Sequence, residues 1–376
     1  MRYDYIFSGM GLSSLMILHK MIRAGVCDGK KILVIEPETQ KRNDRTWCFW
    51  EKGSGSWDFL LKKAWEEAYF MTEDVNVNCL ERGFVYKMLE SQSFYDFVSE
   101  EVYQNKAIQI VREKTFSFKE YESYVVVQTD KSEFEGLCFF NSVLDRKVMQ
   151  PNRYPLLQQH FVGWFVQTDV PVFDDSKAFF MDFSVKQKGN TRFMYLLPVS
   201  VNEALVEYTL FSPNVLSDEE YETEIVSYLK SQGIERFTIT AKEKGNIPMT
   251  SYPFWQNNSK KILHIGTAGG WTKASTGYTF RNSDVLSDRV VAQLKQGTID
   301  FRFFKSPNRF TFYDRLFVSV LYDENALGKN LFTRMFTKVR PDKILRFLDE
   351  ESSVLEDLEV IWACPKWPFI KALFKK

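Results

Sequence analysis

Tyr3-Asp4-Tyr5-Ile6-Phe7, then Gly9-Met10-Gly11-Leu12-Ser13-Ser14, then an apolar run from Leu15 to Ile22, and Lys31 to Ile35 ending at Glu36, decide how this chain is read. The first run predicts a strand, the glycines a tight turn, the third run a helix, and the last a second strand closed by a carboxylate. In this order the pieces make a dinucleotide site. Gly9 permits the sharp turn, and Gly11 lets backbone approach a pyrophosphate. Ser14 takes the place of the third small residue of the pattern. The helix that follows offers unpaired N–H groups and a partial positive charge to phosphate oxygens. Glu36 falls ~20 residues beyond the turn, where a carboxylate binds a ribose hydroxyl. A βαβ turn that serves packing alone is the other reading of the same residues.

Working outward, 376 residues suffice for two to three domain-sized units with a sizeable core. Forty-nine basic residues balance forty-nine acidic ones, so no global field draws the chain to nucleic acid. The first strand starts at Tyr3, so we expect no cleavable leader, and no run approaches the ~18 apolar residues of a membrane span. Five scattered cysteines without a C-x-x-C pair point to a reducing compartment rather than disulfides or structural zinc. The histidines, His19, His160 and His264, are too dispersed for a metal cluster, so we expect no metal site and structural roles for all three. Aromatic residues make up 16% of the chain, thirty-four of them Phe. They fill either an ordinary core or a pocket for a large apolar ligand.

Ser91–Tyr103 has helical spacing (Phe94, Phe97, Val98, Val102), and Ile108–Val111, Tyr124–Val127 and Leu137–Leu144 read as strands. They extend the nucleotide sheet and add a small antiparallel excursion. From Gln158 to about Pro213 the pattern becomes several strands with polar turns, such as Lys186-Gln187-Lys188-Gly189-Asn190. That implies an antiparallel sheet and the floor of a substrate domain. Ser217 to Gln232 predicts a helix with Ser217 as N-cap, and Asn282 to Gln296 predicts another. Beyond Asp300 the chain turns aromatic and basic and ends Trp367-Pro368-Phe369-Ile370-Lys371-Ala372-Leu373-Phe374-Lys375-Lys376. Rings beside cations suit a bilayer headgroup boundary. A helical cap that buries its rings is the alternative.

A second glycine element, Gly266-Thr267-Ala268-Gly269-Gly270-Trp271, follows a short strand from Lys261 to Ile265. Paired with the first turn, it favours FAD over a nicotinamide cofactor bound alone, because a flavin ring lies far from its pyrophosphate and needs a second close backbone approach. With these pieces in place the chain resembles the flavin-dependent lycopene cyclases of bacterial carotenoid pathways over nearly its whole length. The likeness is carried by the first glycine turn, Asp44-Arg45-Thr46-Trp47-Cys48-Phe49-Trp50, Gln159-His160-Phe161-Val162-Gly163-Trp164, Met181-Asp182-Phe183, Leu205-Val206-Glu207-Tyr208-Thr209, Gly245-Asn246-Ile247-Pro248-Met249, and Gly266 to Phe280.

The resemblance implies an α/β fold like that of flavoprotein hydroxylases and geranylgeranyl reductases. Its parts are a Rossmann-type FAD-binding domain (1–40, 86–150 and 256–300), an antiparallel β-sheet substrate domain (41–85 and 151–255), and a helical C-terminal region (301–376) with possible membrane contact. It also implies noncovalent, reduced FAD with NAD(P)H as reductant. The activity implied is cyclisation of the linear ends of lycopene to β-rings, at the cytoplasmic surface of the inner membrane. Gly9, Gly11, Ser14, Glu36, Arg45, Gly266, Ala268, Gly269 and Gly270 are the expected cofactor contacts. Thr267 stands where many related flavoproteins carry an acid. Tyr208 stands where plant relatives carry a second glutamate, while Glu207 matches the glutamate that the family assigns to catalysis.

Such a cyclisation is an isomerisation. A proton goes to the terminal double bond, a carbocation closes the ring, and a different proton leaves. A carboxyl group in an apolar strand suits the acid role because burial disfavours its charged form. Glu207, in Ala204-Leu205-Val206-Glu207-Tyr208-Thr209-Leu210, is the candidate, with a solvent-facing position or a salt bridge as the plain alternatives. Asp182 either tunes Glu207 or receives the departing proton. Arg45 holds the cofactor or orients an acid, or else makes a structural salt bridge. Trp47, Phe49, Trp50 and Trp164 are candidates for an aromatic lining that stabilises positive charge. The flavin either stabilises charge or takes part in proton movement. Two rival readings remain: a flavin monooxygenase or prenyl reductase acting on an apolar substrate, and a non-catalytic carotenoid-binding protein.

Overall fold

The computed structural model describes residues 2–40, 43–145 and 153–374. The end of the expected 86–150 segment, the start of 151–255, and the final Lys375 and Lys376 lie outside the described residues. The chain gathers into two compact units, each assembled from three segments. Met1–Asn43, Ser91–Asn152 and Tyr252–Asn308 form the first; Asp44–Glu90, Arg153–Ser251 and Arg309–Lys376 form the second.

In the first unit the expected strand, turn, helix and strand are all present. The strands run Arg2–Ser8 and Ile32–Ile35. The helix runs Leu12–Arg23, starting three positions before Leu15, because Gly11 takes the cap position with extended backbone (φ −88°, ψ −173°). Leu15, Met16, Leu18 and Met21 are buried, and Lys20 and Arg23 lie in the last turn, where they suit the negative end of the helix. The sheet order is Ile108–Val111, Ile32–Ile35, Arg2–Ser8, Glu133–Asn141, Val125–Thr129, Thr115–Glu120. The first four strands are parallel, and the last two form the antiparallel excursion.

The short strand Ile262–His264 pairs in parallel with Glu133–Asn141. Register then places Ile35, Ser8, Asn141 and His264 side by side at the carboxyl ends of parallel strands. Both glycine elements leave the sheet from that edge, the side where open α/β sheets build ligand crevices. The Ser91–Gln104 and Phe280–Lys295 helices complete the unit.

The second unit holds a seven-stranded sheet in the order Thr238–Thr250, Leu156–Gln167, Glu203–Ser212, Thr191–Pro198, Lys177–Asp182, Glu67–Met71, Asn76–Asn78. Its pairs are antiparallel except the one between Lys177–Asp182 and Glu67–Met71. A three-stranded sheet (Thr46–Lys52, Phe84–Glu90, Lys63–Trp65) accompanies it.

One face of the large sheet is covered by the Asp218–Ser231 helix. Ser217 caps it by accepting from the Glu220 N–H, and Asp218, Glu219 and Glu220 fill its first turn. Tyr221, Ile225, Tyr228 and Leu229 of that helix pack on Val162, Trp164, Met194, Val206 and Tyr208. Strand alternation sends Phe161, Gly163, Leu205, Glu207 and Thr209 to the opposite face.

The C-terminal stretch is helical: Arg309–Asp323, Gly328–Lys338, Pro341–Leu348, Val354–Ala363 and Lys366–Phe374. Part of its aromatic content is core, since Phe332 stacks on Phe183 and Phe336 on Phe70.

Candidate active site

The first glycine turn is shaped by contacts that exclude any other residue at Gly9. Its φ is +89°, and a Cβ there would lie 2.2 Å from the Ser142 hydroxyl. Gly11 differs, with no heavy atom within 4 Å of where its Cβ would stand. The Leu12–Arg23 helix carries no side-chain cap and no acidic residue in its first turn. The buried Ser14 Oγ has no hydrogen-bond partner among the described residues. Glu36 is buried and accepts from the Met10 N–H (2.7 Å) and the Glu38 N–H (3.0 Å), so it braces the turn.

The second glycine element comes to the same place. Gly266–Gly269 makes one 3₁₀ turn and Gly270 is left-handed at φ +65°. A Cβ on Gly269 would lie 2.0 Å from the His264 carbonyl oxygen. Ser13, in the first helical turn, hydrogen-bonds Ser283 at 2.9 Å. Thr267, Thr272 and Thr279 form a chain of hydroxyls where the acid of other flavoproteins is missing. An uncapped helix start, an open glycine and two converging close-packed turns fit the pyrophosphate of a dinucleotide such as FAD.

In the second unit, register aligns Glu243, Gly163, Glu207 and Tyr195 in one row across four strands. Directly opposed residues of antiparallel strands share a face, so both carboxyl groups stand on the side away from the Asp218–Ser231 helix. Gly163 leaves the space between them open: a Cβ there would lie 3.0 Å from Glu243 Cγ and 3.0 Å from Leu205 Cδ1. Thr209 donates to Glu207 Oε1 at 2.7 Å, and Thr46 donates to Glu243 Oε2 at 2.7 Å. Glu207 and Glu243 also hydrogen-bond each other.

Burial pushes the Glu207 carboxyl well above the usual carboxylate range, and the charge of Glu243 pushes it further. Burial raises Glu243 too, opposed by its bonds from Thr46 and Glu207 and by the Arg45 guanidinium. Burial thus favours the protonated form of both carboxyls, and that of Glu207 more strongly.

The structure does not bring every expected residue to this place. Asp182 is buried but accepts from the Tyr228 hydroxyl (2.8 Å) and the Ser184 N–H (2.8 Å). Tyr228 belongs to the helix-covered face with Val206 and Tyr208, so Asp182 is separated from Glu207 by the sheet. Trp164 is likewise on the helix-covered face, packed against Phe237. Trp50 is buried and donates to Asp349 at 2.9 Å. Arg45 acts on the carboxyl pair through Glu243. Glu243 was missed in the sequence because its neighbours Lys242 and Lys244 make the segment look solvated. Both lysines do point away, to Glu222 and Asp218.

Residues 4–374 match the family described as lycopene cyclase protein. The chain belongs to the lycopene cyclase family. Among curated relatives, the lycopene beta-cyclase of Paracoccus sp. (strain N81106 / MBIC 01143) is 30% identical over 159 residues, 41% of this chain and 40% of the relative. The lycopene beta-cyclase of Pantoea ananas is 30% identical over 122 residues, 31% of each chain. The matched region thus spans less than half the length of these relatives. Among solved structures, a geranylgeranyl bacteriochlorophyll reductase-like protein from Thermoplasma acidophilum superposes with a TM-score of 0.61 at 13% identity, covering 99% of this chain and 98% of that one. The halogenase PltM, solved with phloroglucinol and FAD, superposes with a TM-score of 0.60 at 10% identity, covering 95% and 83%. This family member therefore has the flavoprotein fold that the resemblance implied.

Proposed function

We propose that this chain is a lycopene β-cyclase, with a FAD-binding first unit and a second unit that receives the linear carotenoid end and supplies the acid. The observation that carries this reading is a buried carboxyl group, Glu207, in an apolar strand and in register with a second carboxyl, Glu243. Gly9, Gly11, Ser14, Glu36 and the Gly266–Gly270 turn would hold the FAD. When bound and reduced, with NAD(P)H as the source of electrons, FAD supplies an electron-rich ring that favours positive charge or helps to move a proton.

Glu207 gives its proton to the terminal double bond. The neighbouring double bond attacks the resulting tertiary cation and closes the six-membered ring. Loss of a ring proton then leaves the β-ring, and no electrons are gained or lost. Strands that exclude water protect the cation from capture as an alcohol. Rings on the Glu207 face, Phe161, Phe193, Tyr195 and Phe211, offer it electron-rich surfaces.

The substrate lives in lipid, and the last two helices support contact with a bilayer surface. Leu355, Leu358 and Trp362 form one exposed stripe at helical spacing; Trp367, Ile370 and Phe374 form another. Among the described residues no helix is long and apolar enough to cross a membrane.

The test is expression in a lycopene-accumulating bacterium with the pigments separated and identified, and nicotinamide oxidation counted per ring formed. Ring formation with far less than one nicotinamide oxidised per ring supports the cyclase. Unchanged lycopene with flavin supplied argues against the cyclase, and one nicotinamide oxidised per product supports a reductase or monooxygenase on the same fold.

A further inference from the structure

We propose that Glu243 is the positioning partner of Glu207: the two carboxyl groups, meeting over Gly163, hold one proton between them before ring closure and recover one afterwards. This rests on the reading of Glu207 as the acid. Three features of geometry carry it. The register row puts the two side chains on the same face with only Gly163 between them. Two threonine hydroxyls, Thr209 and Thr46, each donate to one oxygen of the pair, which leaves the remaining oxygens to face each other. Both residues are buried, so neither carboxyl is served by bulk water.

A pair of this kind that served packing alone would be costly, since a buried charge beside a second carboxyl gains little from its neighbours. Paired carboxyls that share a proton are a recurring means of setting acid strength. The groups that face the pair are few. Cys48 is half-buried near both carboxyls, and desolvation, then their charges, push its thiol up. Arg45 and Glu90 act on Glu243 with opposite sign. Thr46, Thr209 and Tyr195 are the uncharged neighbours.

The step balances. Before reaction the pair carries one proton and one negative charge. Glu207 transfers that proton to the terminal carbon–carbon double bond, and the pair is left with two negative charges facing a carbocation. The new carbon–carbon bond forms, and a C–H bond next to the second cation breaks. That proton returns to the pair, where repulsion between two carboxylates raises its affinity. Substrate and product have the same formula, and the enzyme is reset without a proton from solvent. Glu243 acts through Glu207: its charge keeps the acid protonated, and its oxygen fixes the direction of the O–H.

The experiment compares E207Q, E243Q and G163A in the flavin-loaded enzyme, by ring formation across pH and by the infrared carbonyl band of protonated carboxyl groups. E243Q removes the negative charge and its amide donates to an ionised Glu207, so the alkaline limit of activity moves down by about one pH unit or more. Its rate then falls about tenfold more at about pH 8 than at about pH 6. The protonated-carboxyl band at neutral pH disappears in E207Q and shifts to lower pH in E243Q. G163A, whose Cβ presses on the Glu243 side chain, moves both readouts in the direction of E243Q. An E243Q enzyme with the wild-type pH profile and band overturns the inference while leaving Glu207 as the acid. An E243Q loss that is equal at every pH also overturns it, as a purely structural effect. Ring formation by E207Q overturns the underlying reading instead.

Discussion

Gly266 backs onto Ser13: a Cβ at position 266 would lie 3.2 Å from the Ser13 hydroxyl, and the residue's φ is +58°. The two glycine elements, far apart in sequence, are therefore fitted to each other at the start of the first helix. Replacing Gly266 with valine adds bulk at this contact and forces a branched residue into left-handed backbone, a cost of about 1–2 kcal/mol. G266V, and likewise G9A, should retain FAD about tenfold less well than wild type. The ratio of flavin absorbance to protein after gel filtration checks this, and undiminished flavin in both variants would remove these turns from the cofactor site.

The carboxyl pair makes stability depend on pH in a direction that can be stated. Glu207 and Glu243 are both raised above their ordinary value of 4.5 in the folded protein. The folded state thus binds more protons than the unfolded state over that window, and stability contributed by the protonated pair is full below 4.5 and is lost as pH rises through the folded values. E207Q removes one titrating group. Its Tm should gain on wild type as pH rises from 5 to about 9, while its cyclase rate falls at least about 100-fold. A Tm difference that is flat with pH would show that the pair does not share a proton.

His160 has the opposite sign. It is buried between the Tyr221 hydroxyl, at 2.5 Å from Nδ1, and the Ser212 hydroxyl, at 2.7 Å from Nε2. Burial, the main cause, with the nearby Arg192 charge, lowers its pKa from 6.5 to about 4. The unfolded chain binds a proton there first, so stability is full above 6.5 and declines as pH falls towards 4, by about 2 kcal/mol after allowing for solvent screening. H160Q should show a flatter dependence over that window in chemical denaturation. An unchanged slope would place the acid sensitivity elsewhere.

The first unit was legible because its signals are local. Gly9, Gly11 and Glu36 lie within one βαβ unit, and Ser217 announces its helix through the acids that follow it. The carboxyl site was only half legible. Glu207 stands in an apolar strand whose alternation is visible, but its face depends on what covers each side. Asp182 and Trp164 look equally suitable in sequence, and only the placement of the 218–231 helix assigns them to the other face. Glu243 depends on register across three strands, and a lysine on each side hides it. The available signal was the pair of glycines, Gly163 and Gly245, which make room for Glu243 and Phe161 respectively. In the aromatic, basic tail Phe301 and Phe310 are buried, as a helical cap requires, while Trp362 and Trp367 are exposed.

That exposure supplies the last prediction. Trp362, Trp367 and Phe374 are 72%, 81% and 83% exposed on two consecutive helices, a degree that isolated surface aromatics do not need. Lys366 lies over the Trp362 ring at 3.7 Å, an arrangement in which the cation can reach headgroups while the indole enters the acyl boundary. Fully burying one large apolar side chain contributes about 1.5–3 kcal/mol, so partial burial of each of two tryptophans is worth roughly a tenfold change in partitioning apiece. W362E/W367E should lower sedimentation with anionic phospholipid vesicles by about 10–100-fold. Its unfolding midpoint should stay near that of wild type, because neither ring is core. In detergent-solubilised lycopene the double variant should cyclise at close to the wild-type rate, whereas with lycopene supplied in vesicles it should lag. Equal vesicle binding by variant and wild type would mean that these helices face something other than lipid.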